Sequence, residues 1–196
     1  MTDQVQDSSM TNFSIKHGLL IGLVSIVLSI VFYIIDPLMQ FTNYWISIII
    51  LVLVITLLVV LGLDVRKKIG GYWSFGQAFK SIFIMGIILS LFSVAYNFVL
   101  FKFVDPQLPV KANSAILESL TARLNSSNVS QDKIDEYTKS FQNGEFIAKL
   151  QPTLINEIKA FGYGLILYVV LSLIIAACIK KKAPLYATPL EGDTSV

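Results

Sequence analysis

Apolar positions gather into four long stretches without charge, at residues 17–35, 37–63, 81–101 and 160–179. Each is bounded by ionisable residues: Lys16 and Asp36, Asp36 and Asp64, Lys80 and Lys102, Lys159 and Lys180. A helix needs about 20 mainly apolar residues to cross roughly 30 Å of hydrocarbon. Each run is close to that length or longer. None alternates in polarity as barrel strands do. The segment Ile48-Ile49-Ile50-Leu51-Val52-Leu53-Val54-Ile55, for example, is apolar on every side. In lipid a helix satisfies its backbone amides within one segment. The pattern therefore predicts an all-α fold, a membrane bundle of four transmembrane helices at about 16–35, 44–63, 75–101 and 152–182. Residues 1–15 are expected to form a disordered cytoplasmic N-terminus and 183–196 a cytoplasmic tail, with 16–182 a single membrane domain.

Between the third and fourth runs the pattern changes. Residues 102–159 hold seven Lys or Arg and seven Asp or Glu. Ile116, Leu117, Leu120 and Leu124 recur at helical spacing, as do Ile134, Tyr137 and Phe141. Two short amphipathic helices follow from this, separated by Asn125-Ser126-Ser127-Asn128, with Ser130 capping the second and Asn143-Gly144 ending it. With Pro152 in its first turn, the fourth helix is long enough to project from the membrane, and the short helices are expected to pack against it. The whole is a helical extracytoplasmic insertion between helices 3 and 4.

The connections carry stop and start signals. Asp36-Pro37 and Asp105-Pro106 each follow an outward-running helix. A proline pushes the preceding residue out of helical geometry, so each pair should end one helix and begin another. Read instead as cation ligands, two Asp residues lack the further acids or His that a metal site needs. Gly70-Gly71 marks a turn. Ser74 and Gln77 have capping-box spacing, placing the start of helix 3 near Phe75. Tyr72 and Trp73 suit the membrane–water interface.

Small and polar residues form two stripes, Gly18, Gly22, Ser25 and Ser29 in helix 1 and Gly86, Ser90, Ser93 and Asn97 in helix 3. This spacing puts each set on one helix face. Such faces let membrane helices approach closely and hydrogen-bond. The simpler reading is a pair of packing faces; the alternative is a degenerate parallel repeat of two helical hairpins.

Composition sharpens the class. The chain has 196 residues, 55% hydrophobic and 14% charged. Soluble domains carry about 25% charged residues. The net charge of +2 gives no reason to expect a nucleic-acid partner. The single cysteine, Cys178, excludes an intrachain disulfide and a multi-cysteine metal centre. Lys16, Arg66, Lys67, Lys68, Lys80, Lys180, Lys181 and Lys182 collect on one side of the membrane. Lys102, Lys111, Lys149 and Lys159 lie near the helix ends on the other. The positive-inside rule then places both termini in the cytoplasm. Arg66, Lys67, Lys68 and Lys180 to Lys182 act as topology anchors, too few in any cluster for a dedicated anionic-lipid site.

No catalytic constellation is visible, and no cofactor or metal is implied. His17 and Cys178 lack the orienting third group that a nucleophile pair needs. The expected role is a non-catalytic interaction or assembly component, with the lipid bilayer around it and a protein partner on the insertion. Homo-oligomerisation is left open. The alternative is a small transporter or channel subunit using the Ser93/Asn97 face. It has to contend with the lack of intramembrane charge, which usually marks ion and proton paths.

The chain resembles the bacterial integral-membrane family called domain of unknown function 4199. The matching features are Lys16-His17-Gly18-Leu19-Leu20-Ile21-Gly22 opening helix 1, Gly71-Tyr72-Trp73-Ser74-Phe75-Gly76-Gln77-Ala78-Phe79 opening helix 3, the Asp105-Pro106 exit and the helical insertion. The similarity covers roughly residues 12–182. The resemblance implies a bacterial inner-membrane location, which makes the Asn-x-Ser sequons at Asn12, Asn125 and Asn128 irrelevant. It supplies no catalytic or binding residues.

Overall fold

The computed structural model describes residues 2–181, with side chains from Asp7 onward. Eight α-helices are found there: α1 (Thr2–Ile35), α2 (Met39–Thr42), α3 (Tyr44–Lys68), α4 (Phe75–Val99), α5 (Leu108–Ser126), α6 (Gln131–Gln142), α7 (Glu145–Leu150) and α8 (Leu154–Ile179). Four stretches are long and apolar enough to cross a membrane: Asp7–Ile35, Tyr44–Lys68, Phe75–Val104 and Leu154–Ile179. The described residues thus form an all-α, four-span architecture. Large apolar side chains such as Leu23, Val27, Ile49, Val52 and Ile166 stand exposed along the outward faces. That suits a chain whose outer solvent is lipid.

α4 is the central helix. α1 and α8 pack along most of its length, while α3 touches α1, α4 and α8 far more sparingly. Gly18 and Gly22 of α1 lie against α4; a Cβ on Gly18 would come 2.7 Å from Ile88, and one on Gly22 2.8 Å from Phe92. On the other side, a Cβ on Gly86 would come 2.7 Å from Tyr168 of α8, and Gly164 of α8 abuts the Ser90 side chain. These close approaches bring backbones within dispersion range, the main attraction between helices already in lipid.

The molecule has two ends of different character. At the basic end, where α3 and α8 finish and α4 begins, Leu58, Val65, Trp73, Ala78, Ile82, Met85 and Ala176 form a tight core. At the opposite, Asp-Pro end, Leu100, Phe101 and Leu108 make a smaller cluster with Tyr33, Leu38, Phe41, Tyr96 and Leu150.

Both Asp-Pro pairs build the same turn. Asp36 Oδ1 accepts from Leu38 N at 2.8 Å, and Asp105 Oδ1 accepts from Gln107 N at 3.1 Å. Each backbone carbonyl also accepts from the residue three on, Met39 at 3.2 Å and Leu108 at 3.0 Å. α4 enters its turn through a π-helical stretch, Leu100–Val104, closed by Asp105 N donating to Leu100 O at 2.8 Å.

Several expectations need correction. Residues 1–15 were expected to be disordered, but the helix runs from Thr2, and within it Met10 and Ser14 are fully buried. Ser14 and Ser81 share a 2.7 Å hydroxyl hydrogen bond, and Lys80 pairs with Asp7 at 2.6 Å. The polar N-terminal sequence is held by α4 rather than by hydrophobic periodicity. The second span continues past residue 63 to Lys68, because the Asp64–Lys68 pair at 2.6 Å and three basic residues in the last turn suit a helix C-terminus.

The fourth helix begins at Leu154, with Thr153 as its cap and Pro152 outside it. Ser130 occupies the cap position of α6 without a side-chain cap bond. The insertion has three helices, not two. α5 packs on α2, and α6 and α7 pack on α5 and on each other rather than along α8. Arg123 of α5 fastens this layer, donating to Thr42 O at 3.0 Å with its guanidinium 4.8 Å from the Tyr44 ring centre. The expected tail at 183–196 and Lys182, the last residue of the expected fourth helix, lie outside the described residues.

Candidate functional site

Between the two core clusters lies a cavity of about 270 Å³. α1 contributes Ser25, Ser29 and Phe32, α3 contributes Ile50, Leu53 and Val54, and α4 contributes Phe92, Ser93, Tyr96 and Asn97. Gln40 of α2 and Tyr168 of α8 complete the wall. No Asp, Glu, Lys or Arg lines it. The helix register explains the convergence. Ser25 and Ser29 lie one and two turns beyond the Gly22 contact, Ser93 and Asn97 the same beyond Leu89, and there α1, α3 and α4 no longer touch tightly.

Two further hollows adjoin it. One is a window between α3 and α8, lined by Ser47, Ile50, Leu51, Leu167 and Leu171, with Phe41 and Phe101 above. The other is a crevice between α4, α7 and α8, with Lys149, Gln151, Asn156 and Glu157 at its mouth and Ser90, Ser93 and Asn97 within. Asn97 and Tyr168 border the cavity, the window and the crevice alike.

Polar side chains in a membrane helix usually find partners on a neighbouring helix. Here the Ser25, Ser29, Ser93, Tyr96, Asn97 and Tyr168 side chains make no hydrogen bond within the described residues. One turn inward from Tyr168, the Ser172 hydroxyl is fully buried and has no partner either. Toward the basic end the path stops at Leu58, Ile82, Leu89 and Ile175.

The two small-residue stripes are thus each divided. Their far halves, Ser25 and Ser29 with Ser93 and Asn97, meet at the cavity. Their near halves part: Gly18 and Gly22 face α4, whereas Gly86 and Ser90 face α8. A two-fold exchange of hairpins would have Gly86 face α1, so the glycines are packing contacts rather than symmetry mates. Sequence reasoning singled out the stripes, with Tyr96, Tyr168 and Ser172 as further polar candidates, and missed Gln40 as a wall residue. Gln40 sits in a four-residue helix that no periodicity reveals.

The basic end is built as a clasp. Gly70 and Gly71 take φ of +109° and +83°, which turns the chain back sharply. Trp73 is thereby buried, only 2% exposed, where the sequence suggested a ring in the headgroups. Its indole donates to Ile179 O at 3.0 Å, and Arg66 donates to the same carbonyl at 2.9 Å. Trp73 N donates to Lys181 O at 2.9 Å and Lys181 N donates to Trp73 O at 3.2 Å. The helix C-terminus leaves carbonyls without intrahelical partners, and these donors supply one.

Among the other anchors, Lys67 and Lys180 are exposed, Lys68 pairs with Asp64, and Tyr72 lies 5.3 Å beneath the Lys181 ammonium. His17 Nε2 lies 2.7 Å from the same Asp64 carboxylate. Ser74 and Gln77 form a full capping box at the start of α4.

A family model described as "Protein of unknown function (DUF4199)" matches residues 16–181. The chain belongs to this family. The DUF4199 match takes in the first span from residue 16, the other three spans and the helical layer, and so every residue of the cavity. Neither a curated protein nor a solved structure matches the DUF4199 chain.

Proposed function

We propose that this protein is a non-catalytic binding component of the bacterial inner membrane, with both termini in the cytoplasm and the cavity opening toward the other side. One observation carries the reading: six polar side chains without hydrogen-bond partners among the described residues border a cavity within the bundle. Polar groups in hydrocarbon are costly unless water, protein or ligand satisfies them. The wall holds no His, Asp, Glu or Lys to activate its serine and tyrosine hydroxyls, so the cavity is suited to holding a molecule rather than transforming it. A protein partner would then meet the exposed face of α6, around Tyr137, since the inner face of α5 is taken up by Leu108, Ala112 and Asn113.

A transport role is favoured by one feature, the orphaned Ser172 hydroxyl that continues the polar track inward from Tyr168. The track meets the apolar plug at Leu58 and Ile82, so transport would require that plug to open.

Cysteine accessibility tests the proposal. In a Cys178→Ser background, Asn97→Cys should react with a membrane-impermeant maleimide added to right-side-out spheroplasts. Ser81→Cys, buried against Ser14, and lipid-facing Ile166→Cys should not. A silent Asn97→Cys would refute an externally open cavity.

A further inference from the structure

We infer that the cavity holds a neutral amphiphile, a molecule with an uncharged hydroxyl- or carbonyl-bearing head and a hydrocarbon tail that leaves through the window between α3 and α8. This inference rests on the binding role proposed above and names the ligand class for the same cavity.

The head chemistry follows from the wall. Ser25, Ser29, Ser93, Tyr96 and Asn97 offer hydroxyl and amide groups, each able to donate and accept. Without a charged group in the wall, an ionised head would sit in the bundle unpaired, at a cost of several kcal/mol or more. Lys149, which is exposed, and Glu157, which is half-buried, line the crevice but not the cavity itself. A phosphate or ammonium head therefore has no group of opposite charge in the cavity wall.

The tail chemistry follows from the window. Two of its edge residues, Leu51 of α3 and Leu167 of α8, are themselves exposed apolar side chains. Its edges are Ile50, Leu51, Leu167 and Leu171, an aliphatic frame in continuity with the lipid. The sparse contact between α3 and α8 leaves this side of the bundle incomplete. The window space, about 480 Å³, adjoins the polar chamber at Asn97 and Tyr168. A fully water-soluble ligand would leave this aliphatic opening to no purpose. A plain hydrocarbon would leave the hydroxyls and the amide unmet.

The test uses the full chain in phospholipid nanodiscs and three photoreactive, alkyne-bearing probes with the same acyl chains: diacylglycerol, phosphatidylglycerol and a headless hydrocarbon. Diacylglycerol should label α3 near Ile50–Val54 and α4 near Leu89–Asn97, saturably and in competition with unlabelled diacylglycerol. Loss of its contact with the amide in Asn97→Leu should weaken this labelling about tenfold, the scale of one to two hydrogen bonds. Ser93→Ala, a milder change at an exposed position, should weaken it severalfold with an unchanged melting temperature. Phosphatidylglycerol and hydrocarbon should label the outward faces alone, without saturation and without response to either substitution.

Saturable cavity labelling by phosphatidylglycerol, or diacylglycerol labelling indifferent to both substitutions, would overturn the ligand class. In either case reactive Asn97→Cys would still leave an open binding cavity standing. An unreactive Asn97→Cys would remove both.

Discussion

At the scale of single residues, two glycines in neighbouring helices make opposite demands. A methyl on Gly86 would press into the Tyr168 ring, whereas Gly162 has no atom within 4 Å of the place its Cβ would take. Gly86→Ala should destabilise the protein by about 1–3 kcal/mol, the range for overpacking a filled contact. Gly162→Ala should be neutral or slightly stabilising, since alanine is the better helix former. Thermal unfolding in mild detergent compares the two; equal midpoints would refute the close α4–α8 approach. Trp73 shows where residue-level reading misleads. Its neighbours Tyr72 and Lys68 look like an interfacial belt, yet the acceptor it needs lies 106 positions away in the sequence.

At the scale of elements, the start of α4 is the most legible feature. Ser74 accepts from Gln77 N at 3.3 Å, and the Gln77 side chain accepts from Ser74 N at 2.8 Å. Ser74→Ala should cost about 1 kcal/mol, typical of a lost N-cap, and hydrogen exchange should rise in the first turn around Phe75–Ala78 before it rises elsewhere. Unchanged exchange there would mean that packing alone holds the end. The four spans were legible because lipid demands long charge-free runs, and the Asp-Pro exits because proline acts locally. The N-terminal extension of α1 was not, because its ties, Ser14 to Ser81 and Asp7 to Lys80, join residues far apart in sequence. α7 escaped because six residues span too few turns to show a period. The stripes were visible as helix faces. That their far halves enclose a cavity depends on where α3 leans away, which no local pattern records.

At the scale of the whole molecule, the placement of charge is the guide to orientation. Arg66, Lys67, Lys68 and Lys180 share the clasp end, and the polar helical layer α5–α7 covers the other. A reporter active only outside the cytoplasm should work when inserted after Ser127 and be silent when fused after Val196. The reverse pattern would invert the topology and with it the direction in which the cavity opens. Charge reversal of Arg66 differs from that of Lys67, because Arg66 also holds the Ile179 carbonyl.

The clasp has a consequence for how the protein is made. Trp73 and its glycine turn are synthesised early, yet the carbonyls they bind belong to Ile179 and Lys181, at the far end of the last helix. While the ribosome is still adding the insertion, the indole has no acceptor from α8, and α4 lacks the helix that covers Gly86. The first three spans must therefore wait for the last helix with one face of α4 uncovered. α8 then arrives as the fastener, and a chain halted before it should be marked for degradation.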